Sequence, residues 1–196
     1  MPAFKGYHGF PATLCTSLNQ QVVHGIPSSK VVLAEGDIVS VDVGAIFGGY
    51  YGDNAATFPV GRVSETATQL LETTAASLEA GIAQCVVGNR LFDIGSAVQA
   101  VAEAQGFGVV REYVGHGIGR AMHEDPNVPN YGTPGTGPKL EPGMVLAIEP
   151  MINAGTECVD ALPDGWTVVT RDGALSAHFE HTVAVTEDGP SILTVE

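Results

Sequence analysis

Four carboxylates and one imidazole stand out along the chain, each in its own apolar or glycine-rich setting. They are Asp42 in SVDVGAI, Asp53 in YGDNAAT, His116 in GHGIG, Glu149 in VLAIEP and Glu180 in HFEHTV. Four oxygen donors and one nitrogen donor suit a pair of divalent cations. The set favours harder first-row ions such as manganese or iron over a sulfur-rich zinc site. Two such cations a few ångströms apart would share bridging carboxylates and activate a water between them. Each residue also has a plainer reading. Asp42 and Asp53 could face solvent on an edge hairpin, His116 could be a loop histidine, and Glu149 and Glu180 could be ordinary strand-end acids. Two acids in separate apolar strands make coincidence less comfortable, because a carboxylate in such a place needs a partner.

The elements that must position these groups can be read from the pattern of side chains. Residues 37–46 alternate apolar and polar with β-branched enrichment and predict a strand. FGGY then reads as a turn and YGDNAATFPV as the return strand. If Gly48-Gly49 form a two-residue turn, Asp42 falls opposite Ala55, and Asp53 sits two residues away on the same face. Diagonal same-face neighbours lie roughly 7–8 Å apart at the backbone, so the two carboxylates would repel unless cations lay between them. A helix is expected from a Ser64 cap to about Cys85, with Leu70, Leu71, Leu78 and Ile82 inward. A second is expected from about Asp93 to Gln105, with Ile94, Val98 and Val101 inward and Gly106 past its end. Strands are expected at Val109–Tyr113, Val145–Ile152, Thr167–Thr170 and His178–Thr186, and a proline-rich loop at Asn127–Gly143. The order of strands, two helices, then strands predicts an α+β fold. In GHGIGRAMHEDP (115–126), glycines flank His116 and allow close approach. His123 lies seven residues on, so an irregular path there would aim both imidazoles into one cavity.

Composition narrows the function classes. The 196 residues carry 22 acidic and 8 basic side chains, a net charge of −14. That balance excludes a nucleic-acid groove and makes a poor anchor to an anionic membrane. No apolar run approaches the roughly 20 residues of a membrane helix. The start, MPAFKGYHGF, has no secretory apolar region. Cys15, Cys85 and Cys158 are odd in number and widely spaced, as expected of free thiols in a reducing, cytoplasmic compartment.

Six segments together carry a family resemblance: FKGYHGFPATLCTSLNQQVVHGIP (4–27), VDVGAIFGGYYGDNAATFPVG (41–61), REYVGHGIGRAMHEDPNVPNYG (111–132), LEPGMVLAIEPMINAG (140–155), DGWTV (164–168) and LSAHFEHTVAVT (175–186). In content and order the chain resembles methionine aminopeptidase of type I. The resemblance implies the α+β pita-bread fold, an antiparallel sheet with flanking helices and pseudo-two-fold symmetry. It implies one catalytic domain over 1–196, with lobes of about 1–90 and 91–196. Two divalent cations (cobalt, manganese, iron or zinc) would be held by Asp42, Asp53, His116, Glu149 and Glu180, with Asp53 and Glu180 bridging. A metal-bridging water would be the nucleophile, and Glu149 would shuttle its proton to the leaving amine. His123 would hydrogen-bond the scissile carbonyl oxygen or the developing oxyanion, and His24 would lie near the substrate amide nitrogen. Tyr7, Phe10, Cys15, Met122 and Trp166 would line the methionine pocket, where a soft apolar wall suits a thioether. For Phe10 and Met122, ordinary core packing remains an alternative.

The implied reaction removes N-terminal methionine before a small second residue. The implied partners are nascent polypeptide N-termini and a transient encounter with the ribosome, made without the zinc-finger extension some relatives carry, by a monomer. Family members usually carry a helical segment ahead of the FKGYHG-like strand. The chain is therefore expected to be N-terminally shortened, with apolar surface exposed on its two helices. Gly44 and Ala147 are expected to give the site less side-chain support than larger polar residues would. Other readings on the same fold are a proline-specific aminopeptidase or prolidase, a non-catalytic protein-binding module, and an inactive truncated relative.

Overall fold

The glycine pair at 48–49 sets the geometry of the whole site. Both residues take positive φ, 59° and 85°, which a tight two-residue hairpin turn needs and glycine tolerates. In the computed structural model, which describes residues 1–195, the turn joins β2 (Ile38–Phe47) to β3 (Tyr50–Pro59). The register that follows pairs Asp42 with Ala55 and Gly44 with Asp53, as the sequence predicts.

β1 (Cys15–Leu18) precedes this hairpin, and helices α1 (Glu65–Ile82) and α2 (Leu91–Ala104) follow it. Ten short strands complete the chain: β4 (Gly108–Val109), β5 (Gly115–Gly117), β6 (Glu124–Val128), β7 (Val145–Ile148), β8 (Met151–Asn153), β9 (Val159–Ala161), β10 (Val168–Thr170), β11 (Ser176–His178), β12 (Glu180–Thr186) and β13 (Gly189–Ile192). The main sheet is antiparallel in the order β1-β2-β3-β12-β7-β5-β6, with β13 also on β12. A smaller sheet runs β11-β8-β4, and β9 and β10 form a ribbon.

Ser64 caps α1, its Oγ accepting from the Ala67 amide at 3.1 Å, a contact worth about 1 kcal/mol. α2 starts two residues earlier than expected. Asp93 lies inside the first turn, where its carboxylate accepts from the Arg90 amide at 2.7 Å. Gly106 follows at φ 79°. Ala102, not Val101, takes the last buried position of that face.

Both helices lie on one face of the sheet. Leu78, Ile82, Leu91 and Ile94 pack on Leu146, Ile148, Val183 and Val185; Ala67, Leu70 and Ala102 pack with Ile38, Ile152 and Ala177. Each fully buried leucine or isoleucine there contributes roughly 1.5–3 kcal/mol. The expected apolar exposure on these helices is not found. Among the described residues the large exposed apolar side chains lie elsewhere, at Met1, Val31–Leu33, on the β2–β3 hairpin, at Val86 and Val87, and at Leu162, Leu193 and Val195. The outward positions of α1 are instead polar or small, such as Gln69, Glu72, Ala76 and Glu79.

Three predicted strands are interrupted, and two of the breaks matter. The Val145–Ile152 segment splits at Glu149-Pro150 into β7 and β8, and the His178–Thr186 segment extends back to Ser176 and splits at Phe179 into β11 and β12. β7 pairs with β12, and β8 pairs with β11. The two strands therefore leave the main sheet together and continue in the smaller one. Proline has no amide to donate, so the ladder cannot run straight through position 150. The third expectation, Val109–Tyr113, is a strand only to Val109; Val110 still donates to the Met151 carbonyl, after which the chain crosses to β5.

Candidate active site

Alternation places Glu149 and Glu180 on the face opposite the helices. Val183 and Val185 point to the core, so Glu180 and Thr182 point away from it; Ile148 likewise leaves Ala147 and Glu149 on the far side. A cross-strand row reads Cys15, Asp42, Ala55, Glu180 over β1, β2, β3 and β12. Beside it, His116 on β5 pairs with Ala147 on β7, which pairs with Thr182 on β12. Thr182 Oγ1 accepts from the Asp53 amide at 2.9 Å and donates to the Asp53 carbonyl at 2.8 Å, fixing that aspartate where the strand ladder lapses. The structure thus brings together all five predicted donors around one cavity of about 330 Å³.

A small residue between the donors is part of this construction. At Gly44, any Cβ would overlap the Phe4 ring, which lines the cavity. Gly44 therefore does not weaken support at the site as expected: its missing side chain admits an aromatic wall.

The electrostatics are those of a crowded acidic pocket. Burial, then the neighbouring charges of Asp53 and Glu149, hold Asp42 well above the usual carboxylate range. Burial followed by Asp53, Glu149 and Asp42 does the same for Glu180. Burial, with Glu149 next, lifts Asp53 to about 7, and burial lifts Glu149 to about 8. The imidazoles move the other way, with burial lowering His24, His116 and His178 to about 4, so they stand neutral. His116 Nδ1 donates to the Gly117 carbonyl at 2.8 Å, because a carbonyl can only accept. Its Nε2 lone pair is thereby aimed at Glu149 Oε1, 3.6 Å away.

These groups fit divalent cations. Donor atoms of Asp53, His116 and Glu180 lie within 4.8 Å of one another, as do those of Glu149, His178 and Glu180. Among the described residues, Asp42 Oδ1, Glu180 Oε1 and His178 Nε2 are buried without a hydrogen-bond partner. Each orphaned group costs about 1–3 kcal/mol unless something answers it. A cation answers acidic oxygens and imidazole lone pairs together.

The remaining predicted residues line the same cavity. His123 is exposed at the rim, its ring 4.1 Å from that of His116. Its Nδ1 is 2.8 Å from the Tyr7 hydroxyl, and the two rings stack at 5.4 Å. His24 sits deeper, edge-on to Trp166. Phe10, Cys15 and Met122 are buried in one apolar cluster, with Tyr7 and Trp166 packed against it. Phe10 meets Trp166 edge-to-face at 5.0 Å. For Phe10 and Met122, packing and lining are the same fact.

Three residues were not singled out from the sequence. Phe4 and His8 line the cavity. Their signal was available, since both fall in FKGYHGF. His178 is the third. It stands two residues before Glu180 and reads as an ordinary strand position until the break at Phe179 is known.

Comparison with known proteins agrees with this geometry. The model of metallopeptidase family M24 matches residues 3–187. A methionine aminopeptidase of Clostridium acetobutylicum is 58% identical over 195 residues, covering 100% of this chain and 78% of the relative. Methionine aminopeptidase 1 of Bacillus subtilis is 55% identical over 194 residues, covering 99% of this chain and 78% of that protein. The crystal structure of the Thermotoga maritima methionine aminopeptidase superposes with a TM-score of 0.98 at 53% identity, covering 100% of this chain and 78% of that one. A prolidase from Pyrococcus furiosus, at 23% identity and a TM-score of 0.73 over 93% of this chain and 49% of that one, shares the fold alone.

Proposed function

The chain belongs to metallopeptidase family M24, as a type I methionine aminopeptidase with the pita-bread fold, and from that premise we propose how its cavity removes N-terminal methionine. One observation carries the reading: five side chains able to hold metal converge on one cavity with the apolar side chains of Phe10, Cys15, Met122 and Trp166.

Asp42, Asp53, His116, Glu149 and Glu180 hold two divalent cations, drawn from manganese, cobalt, iron or zinc. Bound there, the cations supply Lewis-acid charge and a water of lowered pKa. Phe10, Cys15, Met122 and Trp166 enclose the methionine side chain, with Phe4 and Tyr7 at its mouth, and exclude water from it. Burial keeps the Cys15 thiol protonated, with Asp42 as the next cause, so it acts as a soft wall and not as a nucleophile. Glu149 accepts the proton of the attacking water and returns it to the leaving amine.

His123 faces the scissile carbonyl. When the Tyr7 hydroxyl donates to Nδ1, the imidazole proton resides on Nε2, free to be given to the oxygen as charge develops there. His24, neutral in its buried place, receives the amide N–H of the substrate. Substrates are nascent polypeptide N-termini, met in transient contact with the ribosome by a cytoplasmic monomer. The three free cysteines accord with a reducing compartment. No helix among the described residues is long and apolar enough to cross a membrane.

The test is methionine release from Met-Ala-Ser and Met-Leu-Ser peptides, with manganese or cobalt and with chelator. Metal-dependent release from the first alone is expected. Release that persists in chelator, or that is equal from both peptides, would overturn the reading.

A further inference from the structure

The loop that carries His123 is closed by a side chain that the mechanism above does not use. β5 and β6 meet at the pair Gly117 and Glu124, with the register shifted between His116 and Gly117, so residues 118–123 leave the ladder as a loop. Its first residues are tied to other strands. The Ile118 amide donates to the Val145 carbonyl of β7 at 3.0 Å, and the Gly119 carbonyl accepts from the Tyr51 amide of β3 at 2.8 Å. Beyond Gly119 the backbone has less to hold it: the amides of Arg120, Met122 and His123 make no backbone hydrogen bond among the described residues. Glu124 supplies what is missing. Its Oε1 accepts from the Ala121 amide at 2.7 Å, a short charge-assisted bond that reaches back three residues, as a carboxylate does in a helix capping box. The same carboxylate lies against Gly119, where a Cβ would stand 3.3 Å from both of its oxygens. One side chain thus touches the beginning of the loop and bonds its middle.

The two functional side chains of this loop are secured differently. Met122 is 2% exposed and packed in the apolar cluster with Phe4 and Phe10, so packing holds its side chain. His123 is exposed at the rim, and its ring is met from outside the loop by the Tyr7 hydroxyl. The direction of its Cα–Cβ bond follows the backbone path from Ala121 to Glu124. We propose that Glu124 is a positioning residue for His123: its carboxylate, through the Ala121 amide, holds the 118–123 loop on the path that presents the imidazole to the scissile carbonyl. This rests on the reading of His123 as the donor to that carbonyl. What the loop needs at position 124 is an oxygen acceptor of the right reach, because the bonded partner is a neutral amide. Glutamine meets that need, whereas aspartate keeps the charge but falls one methylene short. Glu124 is exposed, so its replacement opens no cavity in the core.

Steady-state methionine release from Met-Ala-Ser by the full chain, saturated with manganese, tests the proposal. Glu124→Ala and Glu124→Asp should each lower kcat roughly 10–100-fold, the scale of a displacement of about 1 Å at a reacting group. KM and metal content should stay nearly constant, since Met122 and the acids keep their places. Glu124→Gln should recover most of kcat. In a His123→Ala background, Glu124→Ala should have little further effect, because the imidazole through which it acts is gone. Wild-type kcat in Glu124→Ala overturns the proposal. So does Glu124→Gln as slow as Glu124→Ala, which would make the charge the contribution. A double variant whose loss is the product of the two single losses overturns it as well, as does a fall in kcat that follows loss of metal. If Glu124→Ala does not fold, the contrast between Glu124→Asp and Glu124→Gln decides by itself. An unchanged kcat in His123→Ala alone would instead overturn the reading of His123 beneath it.

Discussion

Removing the cations should leave a protein whose stability falls as pH rises. In the cation-free chain, Asp53 holds its proton to about pH 7 and Glu149 to about pH 8, whereas both are ionised in the unfolded chain well below neutrality. A carboxyl raised on folding contributes stability that is fully present below its unfolded pKa and is lost as pH rises through its folded pKa. Between pH 7 and 8.5 the folded chain binds more protons than the unfolded one, so the slope is negative. At about 1.4 kcal/mol per pH unit per proton, Asp53 and Glu149 together lose about 1.6 kcal/mol over that window. Histidines lowered on folding act oppositely: their contribution is present above the unfolded pKa and lost on acidification. Over the same window His24, His116 and His178, each lowered to about 4, restore only about 0.5 kcal/mol, since they are nearly neutral in both states.

The net loss is about 1 kcal/mol, or about 2–4 °C in Tm for a chain of this size. Asp42 and Glu180, also raised, act in the same direction. Bound cations displace those protons, so the gain in Tm on adding manganese or cobalt should grow with pH. Thermal melts followed by circular dichroism, with chelator and with metal at pH 7.0, 7.5, 8.0 and 8.5, measure both quantities. A chelated Tm that is flat or rising across this range, with a metal-induced gain independent of pH, would refute the picture of a buried acid cluster awaiting cations.

Three further outcomes are expected. His123→Ala should leave metal content unchanged by elemental analysis and lower kcat roughly 10²–10³-fold, the loss of one oxyanion donor; an unchanged kcat removes His123 from the chemistry. Tyr7→Phe deletes the 2.8 Å bond to His123 Nδ1 and should lower kcat by roughly 2–12-fold, the kinetic equivalent of about 0.5–1.5 kcal/mol, in steady-state assays at constant metal. Gly44→Ala pushes a methyl into the Phe4 ring and should cost about 1–3 kcal/mol in denaturant unfolding while raising KM, because Phe4 is displaced from the cavity wall.

Local chemistry settled more of this protein than its length suggests. The donors were legible because carboxylates and histidines in apolar or glycine-rich surroundings are chemically conspicuous. The facing of Asp42 and Ala55 was legible because a two-glycine turn admits one hairpin register. Ser64 and Gly106 marked the helix ends through backbone hydrogen-bonding needs that act over a few residues. What the tertiary structure decided is everything that depends on pairing across long stretches of chain. The meeting of β3 with β12, which sets Glu180 opposite Ala55, joins residues 125 apart, and no local signal selects it. The break at Pro150 and the matching break at Phe179 turn two strands from one sheet into another, and only that turn draws Glu149, His178 and Glu180 together. Gly44 read alone as an absence of support; with Phe4 folded over it, the same absence is the space that the pocket wall requires. Side-chain type is a property of the sequence, but whether a side chain is a ligand, a wall or an ordinary strand position depends on which distant backbone lies across from it.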